Sequence, residues 1–115
     1  MGFLRKLFNR KPKPAVQETS SSFQIVQDGV VTESIRKDAI QSAQIAINVV
    51  GVGSGGLVFY LNSTGGKQLV IPYYFKGTPA VEKYIFALPG VNKNRLIAMA
   101  ESGESVTLDV WRRSD

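Results

Sequence analysis

The chain of 115 residues contains no cysteine and no histidine. Without cysteine it cannot form disulfides or thiolate zinc sites, and it has no thiol nucleophile. Without histidine it lacks imidazole metal ligands, the Ser-His arrangement and the usual general base near neutral pH. A catalyst would depend on carboxylates, lysines or the backbone, and no two carboxylates are spaced as a catalytic pair. The sequence therefore predicts a protein that is not an enzyme and that binds no metal and no cofactor.

Long hydrophobic runs are also missing, because no apolar stretch approaches the ~20 residues of a transmembrane helix. The composition, 43% hydrophobic and 20% charged, is typical of a soluble globular protein. The length is enough for one domain with one modest core.

Glycine is concentrated in the stretch VVGVGSGGLVFY, in which Gly51, Gly53 and Gly56 form the pattern G-x-G-x-x-G. In a dinucleotide-binding fold this pattern opens a helix, and an acidic residue follows about 20 positions later. Here a β-rich run follows the glycines, and Lys76 and Gly77 stand at that later spacing. The glycines therefore predict a hairpin loop between two strands.

Alternation of apolar and polar residues predicts the strands of the body. Residues 12–22 are predicted to be a flexible linker, and residues 23–35 a hairpin that turns at Asp28-Gly29. Further strands are predicted over residues 40–50, 57–61 and 67–75. Two short helices follow, with Thr78 and Asn92 as expected N-caps, and a strand that begins near residue 106 closes the domain. The expected fold class is α+β, a mainly antiparallel and strongly bent sheet of about six strands.

The strand phases predict which side chains form the core. Tyr73 and Phe75 are expected to point inward, and Tyr74 to point outward beside Lys76. The predicted core consists of Phe23, Ile25, Ile45, Ile47, Leu57, Phe59, Leu69, Ile71, Phe75, Ile85, Leu96 and Val110.

Residues 23–111 resemble the small bacterial pleckstrin-homology-like (PH-like) domains. The resemblance rests on FQIVQDGVVTESIRKDAIQSAQI, on the paired strands GLVFYLNSTGGKQLVIPYYF and on a helix after the sheet. It implies a bent antiparallel sheet capped by a helix in residues 23–115, and a platform that binds proteins or lipid headgroups. The resemblance assigns a function to no individual residue.

The net charge of +5 is confined to the beginning of the chain. The first 13 residues hold five basic side chains and no acid, and the rest of the chain has equal numbers of basic and acidic side chains. No basic face interleaved with aromatic residues follows, so no nucleic-acid partner is expected.

The same N-terminal segment is amphipathic. At ~100° per residue, Phe3, Leu4, Leu7 and Phe8 cover an arc of roughly 140° on a helix over residues 1–11. Arg5, Lys6 and Arg10 lie outside that arc, and Lys11, which falls within it, directly precedes Pro12, where helices tend to stop. The full set expected to contact a membrane is Phe3, Leu4, Arg5, Lys6, Leu7, Phe8, Arg10, Lys11 and Lys13. An interfacial helix on anionic lipid is one interpretation. A disordered basic segment that promotes solubility is the other.

The sequence thus predicts a cytoplasmic binding module that associates peripherally with the inner face of the membrane. Its body is expected to bind an unidentified protein, with Tyr74 and Lys76 as candidate partner-binding residues. The alternative is a soluble inhibitor or immunity-like protein that blocks a partner protein.

Overall fold

The computed structural model describes residues 14–48, 56–101 and 105–113, which form two antiparallel sheets and two helices. The first sheet has the order β1-β2-β3, with β1 at Ala15–Glu18, β2 at Ser22–Gln27 and β3 at Val30–Arg36. The second has the order β6-β5-β4-β7, with β4 at Ile40–Asn48, β5 at Gly56–Ser63, β6 at Gln68–Pro72 and β7 at Val106–Arg112. The helices are α1, Thr78–Phe86, and α2, Lys93–Glu101. The predicted class, α+β and mainly antiparallel, is confirmed, but the seven strands divide between two sheets where one bent sheet of about six strands was expected.

Both predicted hairpins are present. Strands β2 and β3 pair across Asp28 and Gly29, whose φ angles are 54° and 77°. Strands β4 and β5 pair antiparallel, with Ile47 opposite Leu57 and Asn48 opposite Gly56. The glycine-rich stretch therefore leads into a strand, as expected of a hairpin connection, and residues 49–55 themselves lie outside the described residues.

The two helices begin in different ways. Asn92 caps α2, because its Oδ1 accepts a hydrogen bond from the Arg95 amide at 3.1 Å. The cap predicted at Thr78 is wrong: Gly77, with φ 85°, precedes the helix, and Thr78 is already helical. The buried Thr78 hydroxyl donates to the Tyr73 carbonyl at 3.3 Å, so it ties α1 to the preceding turn.

The core lies between the sheets and α1. Nine of the twelve predicted core residues are buried, and Leu57, Phe75 and Val110 pack partly buried against them. The buried residues that the prediction omitted are Val16, Ile35, Ile40, Ala43, Ala46, Leu61, Val81 and Thr78.

The seventh strand comes from the segment predicted as a linker. Ala15–Glu18 form β1, which pairs with β2 and buries Val16. The prediction of a linker over residues 12–22 is wrong for these four residues and for Ser22, where β2 begins. The composition of the segment favoured a linker, but one apolar side chain opposite a preformed hairpin is enough to add a short strand.

Candidate interaction surface at the tyrosine turn

The chain reverses direction directly after β6. The Phe75 amide donates to the Pro72 carbonyl at 3.0 Å, which makes Pro72–Phe75 a β-turn with Tyr73 and Tyr74 at its two corners. We call these four residues the tyrosine turn. The strand predicted over residues 67–75 therefore ends at Pro72.

The ends of the turn are fixed to the body while its tyrosines face solvent. Tyr73 is 50% exposed and Tyr74 is 64% exposed. The Tyr73 amide donates to the Leu57 carbonyl at 2.8 Å, and its ring centroid lies 6.5 Å from that of the buried Phe59. The Tyr74 ring meets the Phe75 ring edge-on at 5.2 Å. The inward orientation predicted for Tyr73 is wrong, because the alternation of a strand does not continue through a turn.

Lys76 joins the tyrosine turn to the beginning of β1. Its amide donates to the Pro14 carbonyl at 3.2 Å, and its carbonyl accepts from the Val16 amide at 2.8 Å. Ala15 and Lys76 thus form a parallel bridge. Residues 1–13 are therefore attached to the body beside Lys76.

Gly77 permits this close approach of the two segments. A Cβ atom at Gly77 would lie 2.2 Å from the Val16 carbonyl oxygen, and the φ of 85° is itself unfavourable for other residues. Glycine at this position is thus a requirement of the contact between β1 and the segment before α1.

The predicted site residues fall into two groups. The nine N-terminal residues, Phe3, Leu4, Arg5, Lys6, Leu7, Phe8, Arg10, Lys11 and Lys13, lie outside the described residues, as does the predicted helix over 1–11. Tyr74 and Lys76 are both exposed, and the Lys76 amide is hydrogen-bonded to the Pro14 carbonyl. The exposed Tyr73 was missed, although Pro72 was a signal that the strand ends there.

A second surface feature is an apolar cleft of about 150 Å³ between the second sheet and the two helices. Leu57 and Phe59 contribute from β5, Phe86 from α1, and Leu96 and Ile97 from α2.

A cluster around Lys37 contacts β1 at Glu18, the end of the strand away from Lys76. The Lys37 ammonium pairs with the Glu18 carboxylate at 2.8 Å and lies 5.2 Å from the Phe23 ring centroid and 5.7 Å from that of Tyr84. Burial raises the pKa of the Tyr84 phenol, and the positive charges of Lys37 and Arg113 offset part of that rise. We call Lys37, Glu18, Phe23 and Tyr84 the Lys37 cluster.

In the described part of the chain, no three acidic side chains come together in a group that could hold a metal ion. Neither of the two helices described has the length and hydropathy needed to cross a bilayer. No family model, curated protein or solved structure matches the chain. The resemblance to PH-like domains therefore stays a prediction.

Proposed function

We propose that the chain is a non-enzymatic, peripheral-membrane binding module of the cytoplasm. Its N-terminal segment folds as an amphipathic helix on anionic lipid, and its body binds a protein partner. The observation that carries this proposal is the separation of charge: the five basic side chains and four large apolar ones of the first 13 residues precede a body that is formally neutral.

The energies of electrostatic attraction, apolar insertion and helix folding favour weak and reversible binding of the segment to the membrane. Each basic side chain contributes up to about 1 kcal/mol near an anionic leaflet. Phe3, Leu4, Leu7 and Phe8 add about 1.5–3 kcal/mol each if they are fully buried, and less if they insert partly. A helix this short is marginal in water, so its folding on lipid reduces the net affinity. Membrane binding therefore needs both the basic and the apolar side chains of the segment.

Vesicle flotation tests the proposal. The full-length protein is expected to float with vesicles of phosphatidylcholine and phosphatidylserine, and to float less as salt is raised. Deletion of residues 1–13 should abolish flotation. The deletion keeps Pro14 because its carbonyl accepts the Lys76 amide. Circular dichroism of the deleted protein should show that the body still folds.

A matched pair of substitutions separates amphipathicity from net charge. Leu7→Glu and Asn9→Glu each add one negative charge, but only the first interrupts the apolar arc. We expect Leu7→Glu to reduce flotation much more than Asn9→Glu. Equal effects would mean that the segment acts as an unstructured basic chain.

The soluble inhibitor or immunity-like protein is the second candidate, and the basic N-terminal segment favours it equally if that segment contacts an acidic protein surface. It needs no lipid. If the full-length protein does not bind anionic vesicles at low salt, the membrane proposal fails and the inhibitor takes its place. If the protein without residues 1–13 binds vesicles equally well, the N-terminal segment is not the membrane anchor.

A further inference from the structure

We propose that the tyrosine turn and Lys76 form a second lipid-contacting element, which acts on the same anionic membrane surface as the N-terminal segment. This inference rests on the proposed function and deepens it. It assigns Tyr74 and Lys76 to lipid, so that a protein partner would bind elsewhere on the body.

The first argument is the kind of side chain that is exposed. Among the large hydrophobic residues exposed in the described ranges, Tyr73 and Tyr74 are the aromatic ones, and they are adjacent at the tip of a turn. A tyrosine has an apolar ring and a polar hydroxyl, and it prefers the membrane interface, where one end is apolar and the other hydrated. Two of them beside the exposed Lys76 match an anionic interface in polarity and in charge.

The second argument is position. Pro14 is hydrogen-bonded to Lys76, so the residue to which the N-terminal segment is covalently joined lies beside Lys76. Two peptide units separate Lys76 from Tyr74, which puts their Cα atoms within about 8 Å of each other. A segment that begins at this point and lies on a membrane holds the tyrosine turn next to the headgroups, within about one Debye length at physiological salt.

The third argument is rigidity. Three hydrogen bonds hold the turn: Phe75 to Pro72, Tyr73 to Leu57 and Thr78 to Tyr73. A preorganised turn loses little conformational entropy on binding, in contrast to an N-terminal segment that must fold on the lipid. Because only residues 12 and 13 separate the predicted helix over 1–11 from Pro14, contact by one element raises the effective concentration of the other at the surface.

The test measures partition of full-length variants onto vesicles of phosphatidylcholine and phosphatidylserine. The double variant Tyr73→Ser/Tyr74→Ser should bind roughly tenfold more weakly although its N-terminal segment is intact. Lys76→Gln should also weaken binding. Lys67→Gln is its matched control, since Lys67 and Lys76 are exposed lysines that flank β6 at its opposite ends.

A direct measurement of insertion uses fluorescence. Trp111 is the one tryptophan of the chain, so Trp111→Phe removes the native indole emission and leaves that of Tyr74→Trp alone. The introduced indole should shift its emission to the blue on anionic vesicles and be quenched by brominated lipid. Because this variant keeps an aromatic ring at the turn, it also serves if the double serine variant fails to fold.

The outcomes separate this inference from the proposed function. If the wild type floats and depends on residues 1–13, but the tyrosine variants float equally well and the indole does not respond, only the lipid assignment of the turn is wrong. Tyr74 and Lys76 then remain candidates for contact with a protein partner. If the wild type does not bind vesicles, the proposed function and this inference fail together.

Discussion

Tyr73 and Tyr74 differ sharply from Lys76 and Gly77, which follow them within the same five-residue stretch. The two tyrosines are at least half exposed, whereas the Lys76 amide and carbonyl are hydrogen-bonded to Pro14 and to Val16 of β1, and Gly77 has no room for a side chain. The two tyrosines and the exposed Lys76 side chain are therefore offered to a ligand, whereas the backbone of Lys76 and the bare Gly77 hold the sheet together. The difference predicts that substitutions a few residues apart affect binding and stability separately.

The largest effect is expected at Gly77. In Gly77→Ala the positive φ costs about 1–3 kcal/mol. The new methyl group also meets the Val16 carbonyl, so β1 must move and the burial of Val16, worth about 1.5–3 kcal/mol, is lost. We expect a total loss of roughly 3–5 kcal/mol in the free energy of unfolding. Urea denaturation measures it.

Gly66 provides the control for that substitution. Its φ is 82°, close to that of Gly77, but a Cβ atom at Gly66 would meet no atom within 4 Å beyond its chain neighbours. Gly66→Ala therefore isolates the backbone strain, and the same loss of about 1–3 kcal/mol is expected, without the loss of the Val16 burial. Equal losses at the two glycines would show that the contact with Val16 contributes nothing.

A smaller effect on stability distinguishes Tyr73 of the tyrosine turn from Phe59, the ring beneath it. Phe59 is fully buried and Tyr73 is half exposed, although their centroids are 6.5 Å apart. Phe59→Leu leaves space in the core and should cost roughly 1–2 kcal/mol. Tyr73→Leu should stay within about 0.5 kcal/mol of the wild type. Thermal denaturation of the two variants compares them, and a loss at Tyr73 as large as that at Phe59 would contradict the separation of roles.

The sequence predicts the regular parts of this fold because their signals are local. The alternation in β4, β5 and β7 and the Asp28-Gly29 turn each depend on neighbouring residues, and the structure confirms them. Strand β1 has no such signal. Its four residues include one buried side chain, and it forms because β2 and the backbone of Lys76 lie on its two sides.

At the candidate site, too, the sequence predicts only what depends on neighbouring residues. Exposure of Tyr74 follows from its place in the sequence, but exposure of Tyr73 depends on a turn that ends β6 at Pro72. The meeting of Pro14 with Lys76 joins positions far apart in the chain. No periodicity predicts a contact of that kind, because it results from how the sheets and α1 pack.

A further effect concerns how β1 is held at Glu18, the end of the strand away from Lys76. Lys37→Ala removes an ion pair with Glu18 and contacts with two aromatic rings, and a loss of about 1 kcal/mol is expected. The neighbouring Arg36 is the control: its pair with Asp38 is about 70% exposed on both sides, so Arg36→Ala should change stability little. Similar losses in urea denaturation would mean that the Lys37 cluster does not hold β1.

The smallest effect appears only at alkaline pH and comes from Tyr84. Burial raises the pKa of its phenol above the ordinary value of 10.0 despite the nearby charges of Lys37 and Arg113, so the folded protein holds this proton more tightly than the unfolded chain does. The associated stability is fully present below the unfolded pKa and is lost as pH rises through the folded pKa. Tyr84→Phe keeps the ring against Phe23 and removes the proton. Its free energy of unfolding should therefore decline less steeply than that of the wild type above pH ~10, and the two slopes should agree below that pH. Lysine deprotonation affects both proteins, so only the difference between their curves reports on Tyr84. Parallel curves through the alkaline range would show that burial of the phenol has no energetic consequence for the fold.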